Sequence, residues 1–178
     1  SAGLNGAHGD TGYGFWKALR VGAFQVTSIM TTTGYVTDDF ETWPWFSRTL
    51  LVVLMFVGGS AGSTGGGLKV MRIIVLGKMV VRNLQHTFQP KTVRPIRVND
   101  EVVHPEIQRT IMTFFTLHMG IFAFGCIFMS GLGLPFETAL TAVAATLNNI
   151  GPGLEHVGAI ENYAFIPQAG KVFLSLCM

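Results

Sequence analysis

The stretch Thr31-Thr32-Thr33-Gly34-Tyr35 decides how this chain is read. It closes an uncharged segment and precedes an acidic loop, Asp38-Asp39-Phe40-Glu41. Threonines running into a glycine and an aromatic residue suit a loop whose backbone carbonyls replace an ion's hydration shell. The glycine supplies the dihedrals that aim those carbonyls inward. Threonine-rich turns occur in many folds, so the weight falls on what surrounds this one.

The surroundings are those of a membrane protein. Of 178 residues, 49% are hydrophobic and only 12% are charged, against about 25% charged in an ordinary soluble domain. Mean hydropathy is +0.45. Cys126 and Cys177 both lie in apolar segments and read as small packing residues rather than a disulfide. Charge is unevenly placed. Lys69, Arg72, Lys78, Arg82, Lys91, Arg94 and Arg97 follow one another with no intervening acid. Beside apolar segments this is the positive-inside signal of a cytoplasmic stretch. A nucleic-acid surface is the rival reading, and the hydrophobic flanks with few interleaved aromatics argue against it.

The clearest spanning segment is 110–134, which contains no Asp, Glu, Lys or Arg; about 20 apolar residues suffice to cross the hydrocarbon core. His118 is its one ionisable group, read as a neutral histidine bonded to a neighbouring helix or as a proton relay. The apolar run 48–57 is too short to span alone and runs into Gly58-Gly59-Ser60-Ala61-Gly62-Ser63-Thr64-Gly65-Gly66-Gly67. Each glycine in a helix interior costs up to about 1 kcal/mol against alanine. The expectation is therefore a membrane helix broken midway and resuming over 68–81. Bare backbone at membrane depth survives only where protein buries it or it lines an aqueous path. Pro90, Pro95 and Pro105 mark a polar, basic connector between this helix and the next. Trp43 and Trp45 read as an interfacial belt or as core.

An internal repeat ties these pieces together. Phe15-Trp16-Lys17-Ala18-Leu19 resembles Phe136-Glu137-Thr138-Ala139-Leu140. Each opens a stretch too short to span that ends at a glycine, Gly34 or Gly151. Acidic residues and an apolar segment follow each. The second filter-like run is Leu147-Asn148-Asn149-Ile150-Gly151-Pro152-Gly153, with Glu155 and Glu161 beyond it. Half-helix, glycine turn, acidic loop, helix is the order of a re-entrant pore loop. The carbonyls of Thr32, Thr33, Asn149 and Ile150 are then the candidate ion ligands. Rival chemistry fits poorly. In the glycine run Leu68 separates Gly67 from Lys69 and Val70 follows, where a phosphate loop needs Gly-Lys-Ser/Thr. The five histidines show no zinc spacing.

Three runs in order, TTTGY, GGSAGSTGGGLKVMR and TLNNIGPGLEHVG, resemble the Trk/Ktr/HKT superfamily of potassium transporters, specifically its bacterial Trk-type membrane subunit. The resemblance covers nearly the whole chain from Phe15 onward. It implies an all-α membrane protein of helix–pore-loop–helix repeats, with re-entrant selectivity-filter loops and one broken helix. Four such repeats surround one pore in the family. Residues 1–83 would be the end of the third repeat, 84–105 a cytoplasmic connector and 106–178 most of the fourth. The third repeat's first helix and the end of the fourth repeat's last helix would lie outside the chain. The resemblance places Thr32, Thr33 and Gly34 in one filter loop and Asn149, Ile150 and Gly151 in the next. It makes Gly58, Gly59, Gly62, Gly65, Gly66 and Gly67 an intramembrane gate loop with Lys69 at its cytoplasmic end. It further implies a potassium ion at the filter, no organic cofactor and no enzymatic activity. The implied partners are a second copy of the full protein, a cytosolic nucleotide-binding ring protein meeting residues 82–97, and the lipid of a bacterial plasma (inner) membrane crossed several times. The sequence departs from the family at Ile150, where small β-branched or hydroxyl residues are common. The expected function is potassium uptake through a channel-like pore. The alternatives are a potassium/proton or potassium/sodium symporter using the broken helix as its site, and a nucleotide-binding enzyme.

Overall fold

Proline and glycine punctuate this chain into helices. The computed structural model describes residues 14–60, 63, 65–88, 96–98, 101–158 and 160–178. Helix α1 spans Phe15–Met30, α2 Trp45–Phe56, α3 Val70–Phe88, α4 Pro105–Gly131, α5 Phe136–Leu147 and α6 Gln168–Cys177. Proline stands at the N-cap of α2 (Pro44), α5 (Pro135) and α6 (Pro167), and at the first position of α4 (Pro105). Its fixed φ suits a helix start, where no amide hydrogen is needed.

Helix α4 has 27 residues and, among those described, is the one helix long and apolar enough to cross a membrane. At 1.5 Å per residue it is about 40 Å long. Only 17% of its most apolar window is buried, and Leu117, Phe124 and Ile127 point outward at 61%, 61% and 73% exposure. A soluble protein's core helix would be covered; this one presents its apolar side chains to the surroundings, as a lipid-facing helix does. It starts at Pro105 and stops at Gly131, just short of the expected end at Leu134, with Gly133 at φ +89° turning the chain toward α5.

The expected broken helix is present. Helix α2 ends at Phe56, and Val57–Gly58 (β1) pairs in parallel with Leu68–Lys69 (β2). The chain thus leaves after Gly58 and is back at Leu68 beside its own departure point, running in the same direction, before α3 begins. Two limits differ from expectation. Helix α2 starts at Trp45, because Pro44 is its cap. Helix α3 continues to Phe88, because neither glycine nor proline interrupts the chain between Gly77 and Pro90; part of the segment read as connector is helical. Downstream, Arg97–Val98 (β3) and Glu101–Val102 (β4) pair antiparallel.

Two apolar clusters hold the helices together. Met129, Ala142, Val143, Ile166 and Leu174 join α4, α5 and α6. Gly125 permits that approach, since a Cβ there would stand 2.8 Å from Val143 Cγ1 and 3.0 Å from Phe173. Small residues at helix contacts are what packing in lipid requires, where water supplies no driving force between helices. The second cluster, Ile29, Phe40, Leu51, Met55, Ala144, Ile150 and Leu154, joins α1, α2 and α5. It brings the two glycine-ended half-helices to one place.

Candidate functional site

The two half-helices end in the same backbone geometry, offset by 117 positions (151 − 34). In the first, Thr32 N–H donates to Ile29 C=O at 3.1 Å, Thr33 N–H to Ser28 C=O at 2.9 Å, and Gly34 N–H to the same oxygen at 3.5 Å. In the second, Asn149 N–H donates to Thr146 C=O at 3.0 Å, Ile150 N–H to Ala145 C=O at 2.8 Å, and Gly151 N–H to that oxygen at 3.5 Å. Thr32 and Asn149 both sit at φ +54°, with Gly34 at +74° and Gly151 at +102°. Asparagine enters this left-handed region readily. A β-branched threonine does not, and such conformations cost about 1–3 kcal/mol. The strain falls on a residue that sequence reading had singled out for its carbonyl alone. Helix α1 has 16 residues and α5 has 12, which accounts for the extra turn seen in the sequence repeat.

The two loops touch. A Cβ on Gly34 would collide with the Ile150 carbonyl oxygen and stand 3.4 Å from Pro152 Cδ. Only glycine allows that approach at that φ. Each loop has its own brace. Ser28 Oγ donates to Tyr35 C=O at 2.6 Å. At the second loop Ala145 stands in the place of Ser28, and Tyr163 OH donates to Gly151 C=O at 2.6 Å. Burial pushes the Tyr163 phenol up to about 12, so it remains a donor at any physiological pH. Thr141 Oγ1 accepts from Leu154 N–H at 3.1 Å and fixes the chain beyond Gly153. Ser28, Thr141 and Tyr163 were not singled out in the sequence. A lone hydroxyl carries no spacing signal.

The glycine-rich loop lies against the carbonyl ends of both half-helices. A Cβ on Gly65 would stand 3.0 Å from Thr32 Oγ1 and 3.5 Å from Thr31 C=O; one on Gly59 would stand 3.8 Å from Met30 C=O. A Cβ on Gly66 would collide with the Asn148 carbonyl. Gly67, at φ +74°, faces the Asn148 side chain, and Gly58 packs on the Gly66 carbonyl. Gly62 lies outside the described residues. Lys69 turns back into the loop and donates from Nζ to Ser63 C=O at 2.9 Å. A lysine so engaged, in a loop entered from a helix, does not form a phosphate cradle.

On the other side of the loops the acids are partly occupied by structure. Asp39 Oδ1 accepts from Glu41 N–H at 3.1 Å, and Asp38 Oδ2 accepts from Trp43 Nε1 at 3.3 Å. Glu155 accepts from the Thr138 hydroxyl. Arg48 pairs with Glu137 at 3.9 Å and lies over the Trp45 ring at 4.7 Å. Glu41 packs on Gly158, and burial, then the neighbouring Asp39, pushes its carboxyl above its ordinary range while Arg48 opposes. The two tryptophans divide the alternatives: Trp43 packs against the second cluster, and Trp45 is 70% exposed. Among the described residues no three His, Cys, Asp or Glu side chains group as a metal site. The close approaches between these segments are made by backbone: the Ile150 carbonyl at Gly34, the Asn148 carbonyl at Gly66 and the Thr31 carbonyl near Gly65.

The chain as a whole is similar to known proteins. Residues 14–178 match TrkH, a cation transport protein family. The chain belongs to that family. It is 40% identical over 151 residues to the Trk system potassium uptake protein TrkH of Escherichia coli K12, covering 85% of this chain and 31% of the relative. It is 36% identical to the protein of the same name from Halomonas elongata, covering 91% of this chain and 33% of the relative. The crystal structure of the potassium transporter TrkH from Vibrio parahaemolyticus superposes with a TM-score of 0.83 at 34% identity, covering 92% of this chain and 34% of that one. The fold is that of an all-α membrane protein, and the relatives are named as transporters rather than enzymes. The chain spans about a third of the length of these relatives.

Proposed function

We propose that this chain supplies two of the filter loops, and the gate beneath them, of a protein that takes potassium into a bacterial cell across its plasma (inner) membrane. The observation that carries the reading is the pair of loops with matching backbone, touching at Gly34 and Ile150 above a glycine-rich segment. The printed names of the relatives, potassium uptake proteins, support potassium as the ion.

The mechanism follows from backbone electrostatics. Helices α1 and α5 each point a C-terminus toward the loops, and each terminus carries roughly half a negative charge. That favours a cation there. The carbonyls of Thr32, Thr33, Asn149 and Ile150 take the place of its water. The loop 58–67 underneath must move for the ion to pass. Membrane potential drives entry, worth about 2.3 kcal/mol per charge per 100 mV. The full protein works as a homodimer, and a cytosolic nucleotide-binding ring docks on the basic segment 82–97; Lys91 and Arg94 of that segment lie outside the described residues. The break between α2 and α3 also fits an ion-coupled symporter, which would show saturable dependence on a co-transported proton or sodium ion.

The test is growth at limiting potassium of cells stripped of their own potassium-uptake systems and carrying the full-length parent. Rescue by the parent supports uptake. Removing residues 65–67 should raise basal flux, and wild-type regulation after that deletion would remove the gate assignment.

A further inference from the structure

The 117-residue offset that aligns Gly34 with Gly151 continues outward from the two loops. It pairs Phe40 with Val157, exposed at 0% and 1%, and Glu41 with Gly158 (158 − 41 = 117). Phe40 and Glu41 belong to one short 3-10 turn, Phe40–Thr42, and Val157 to another, Glu155–Val157, which Gly158 closes. The last two counterparts touch. A Cβ on Gly158 would collide with Glu41 Oε1 and stand 2.9 Å from Glu41 Cδ, so the carboxyl group lies against the bare glycine Cα. The same carboxyl group accepts from the Glu155 N–H. Where the first loop carries a carboxylate, the second carries no side chain. The contact therefore runs one way, from the chain beyond the first loop onto the turn beyond the second.

That turn is strained and closely held. Glu155 sits at φ +59°, a region that residues other than glycine avoid. The Thr138 hydroxyl donates to its carboxylate, and Gly158 N–H donates to its C=O at 2.9 Å. Glu41 takes its N–H from the first loop's side. Glu41 is fixed in turn, with its own N–H on Asp39 Oδ1 at 3.1 Å and the buried Phe40 beside it. Arg48 attracts its carboxyl group, while Asp39 and Glu155 repel it. Glu41 Oε1 is buried without a hydrogen bond. An unsatisfied oxygen and a strained backbone residue thus meet at one contact. Such features gather where a fold holds a site in place against local strain.

We propose that Glu41 is a specificity-determining positioning residue. Its carboxylate, carried by the chain leaving Gly34, clasps the turn leaving Gly151 and fixes the spacing of the two loops on their acidic side. Gly34 and Ile150 set that spacing at the loops themselves, and Glu41 and Gly158 set it seven residues further along each chain. Glu41 acts through the turn 155–158 and not as an ion ligand. The inference rests on the reading of the two loops as a potassium filter.

The test is sodium competition against rubidium uptake by the full-length parent, in cells lacking their own potassium-uptake systems, with membrane abundance measured for every variant. Glu41→Ala should lower potassium-over-sodium preference about two- to tenfold, the span of one hydrogen bond. Glu41→Gln keeps an acceptor for the Glu155 N–H and should retain most of the preference. Gly158→Ala drives a methyl group into the carboxylate and should lower preference at least as far as Glu41→Ala. In the Glu41→Ala background that methyl meets no carboxylate, so Gly158→Ala should there have a smaller effect than in wild type. Its 2.9 Å approach to Glu155 C=O is common to both backgrounds and cancels in the comparison. Should Glu41→Ala fail to reach the membrane, Glu41→Ser serves the same arm. Wild-type preference in the Ala variant, equal losses in the Ala and Gln variants, or additive effects of the Glu41 and Gly158 substitutions overturn the clasp. Gly34→Ser separates the two ideas. Unchanged preference in that variant defeats the filter reading itself; lost preference there with inert Glu41 variants defeats the clasp alone.

Discussion

The two filter-type loops share a backbone but not an environment. Helix α5 is buried along most of its length, with Thr138, Ala139 and every residue from Thr141 to Thr146 covered by α4, α6 and α2. Helix α1 buries Gln25, Ser28 and Ile29 and leaves Phe15, Trp16 and Leu19 exposed at 74%, 78% and 53%. The hydrogen bonds that shape the loops are nevertheless matched to within a few tenths of an ångström. Both loops share a residue at φ +54° two positions before a positive-φ glycine, although the residue is Thr32 in one and Asn149 in the other. The difference shows in the braces: Ser28 ties the first loop from its own helix, and Tyr163 ties the second from across a later turn.

Five substitutions probe that comparison. The largest effect is expected at the glycines. Gly34→Ser meets both a positive φ and the Ile150 carbonyl, whereas a Cβ on Gly151 at φ +102° meets nothing within 4 Å. Gly34→Ser should abolish potassium preference, and Gly151→Ser should weaken it by the backbone strain alone, about 1–3 kcal/mol. Equal losses in a sodium-competition uptake assay would break the claimed asymmetry. Next is Gly66→Ala, which forces the gate loop off the Asn148 carbonyl; basal flux should rise several-fold in a liposome efflux assay, and an unchanged flux would count against the contact. The braces come third. Ser28→Ala and Tyr163→Phe each remove one hydrogen bond worth about 1 kcal/mol. Each should shift the potassium-to-sodium ratio a few-fold, and the pair should be additive if the loops are braced independently.

The smallest effect concerns Glu41. Its native carboxyl lies above the ordinary 4.5, so the folded state binds that proton more tightly than the unfolded chain. The associated stability is fully present below pH 4.5 and is lost as pH rises through the raised native value. Glu41→Gln should therefore melt slightly higher than wild type near neutrality, with the gap closing in acid. A gap that widens on acidification would reverse the assigned cause.

Much of this architecture is legible in the chain because its signals are punctuation. Gly34, Gly151 and the run 58–67 follow helix ends, and the uncharged stretch before Leu134 marks the long apolar helix; the start signals at Pro44 and Pro167 were passed over. The alternation of short and long segments then orders the elements. What stayed hidden depends on distance in space. Nothing in sequence pairs Tyr163 with Gly151 or His118 with Asn148. Thr32 at φ +54° runs against the preference of a β-branched residue, so propensity argues against the conformation it adopts. The continuation of α3 to Phe88 was masked by its basic residues, which read as connector although lysine and arginine are good helix formers.

The central claim is that the loops carrying Gly34 and Gly151 form one potassium-selective path. Its most direct test is rubidium uptake, with and without competing sodium, by cells lacking their own potassium-uptake systems. These cells would carry the full-length parent as wild type or as Gly34→Ser. The account predicts sodium-resistant uptake by the wild type that the substitution abolishes or makes sodium-sensitive. Equal, sodium-resistant uptake by both proteins at equal membrane abundance would contradict it.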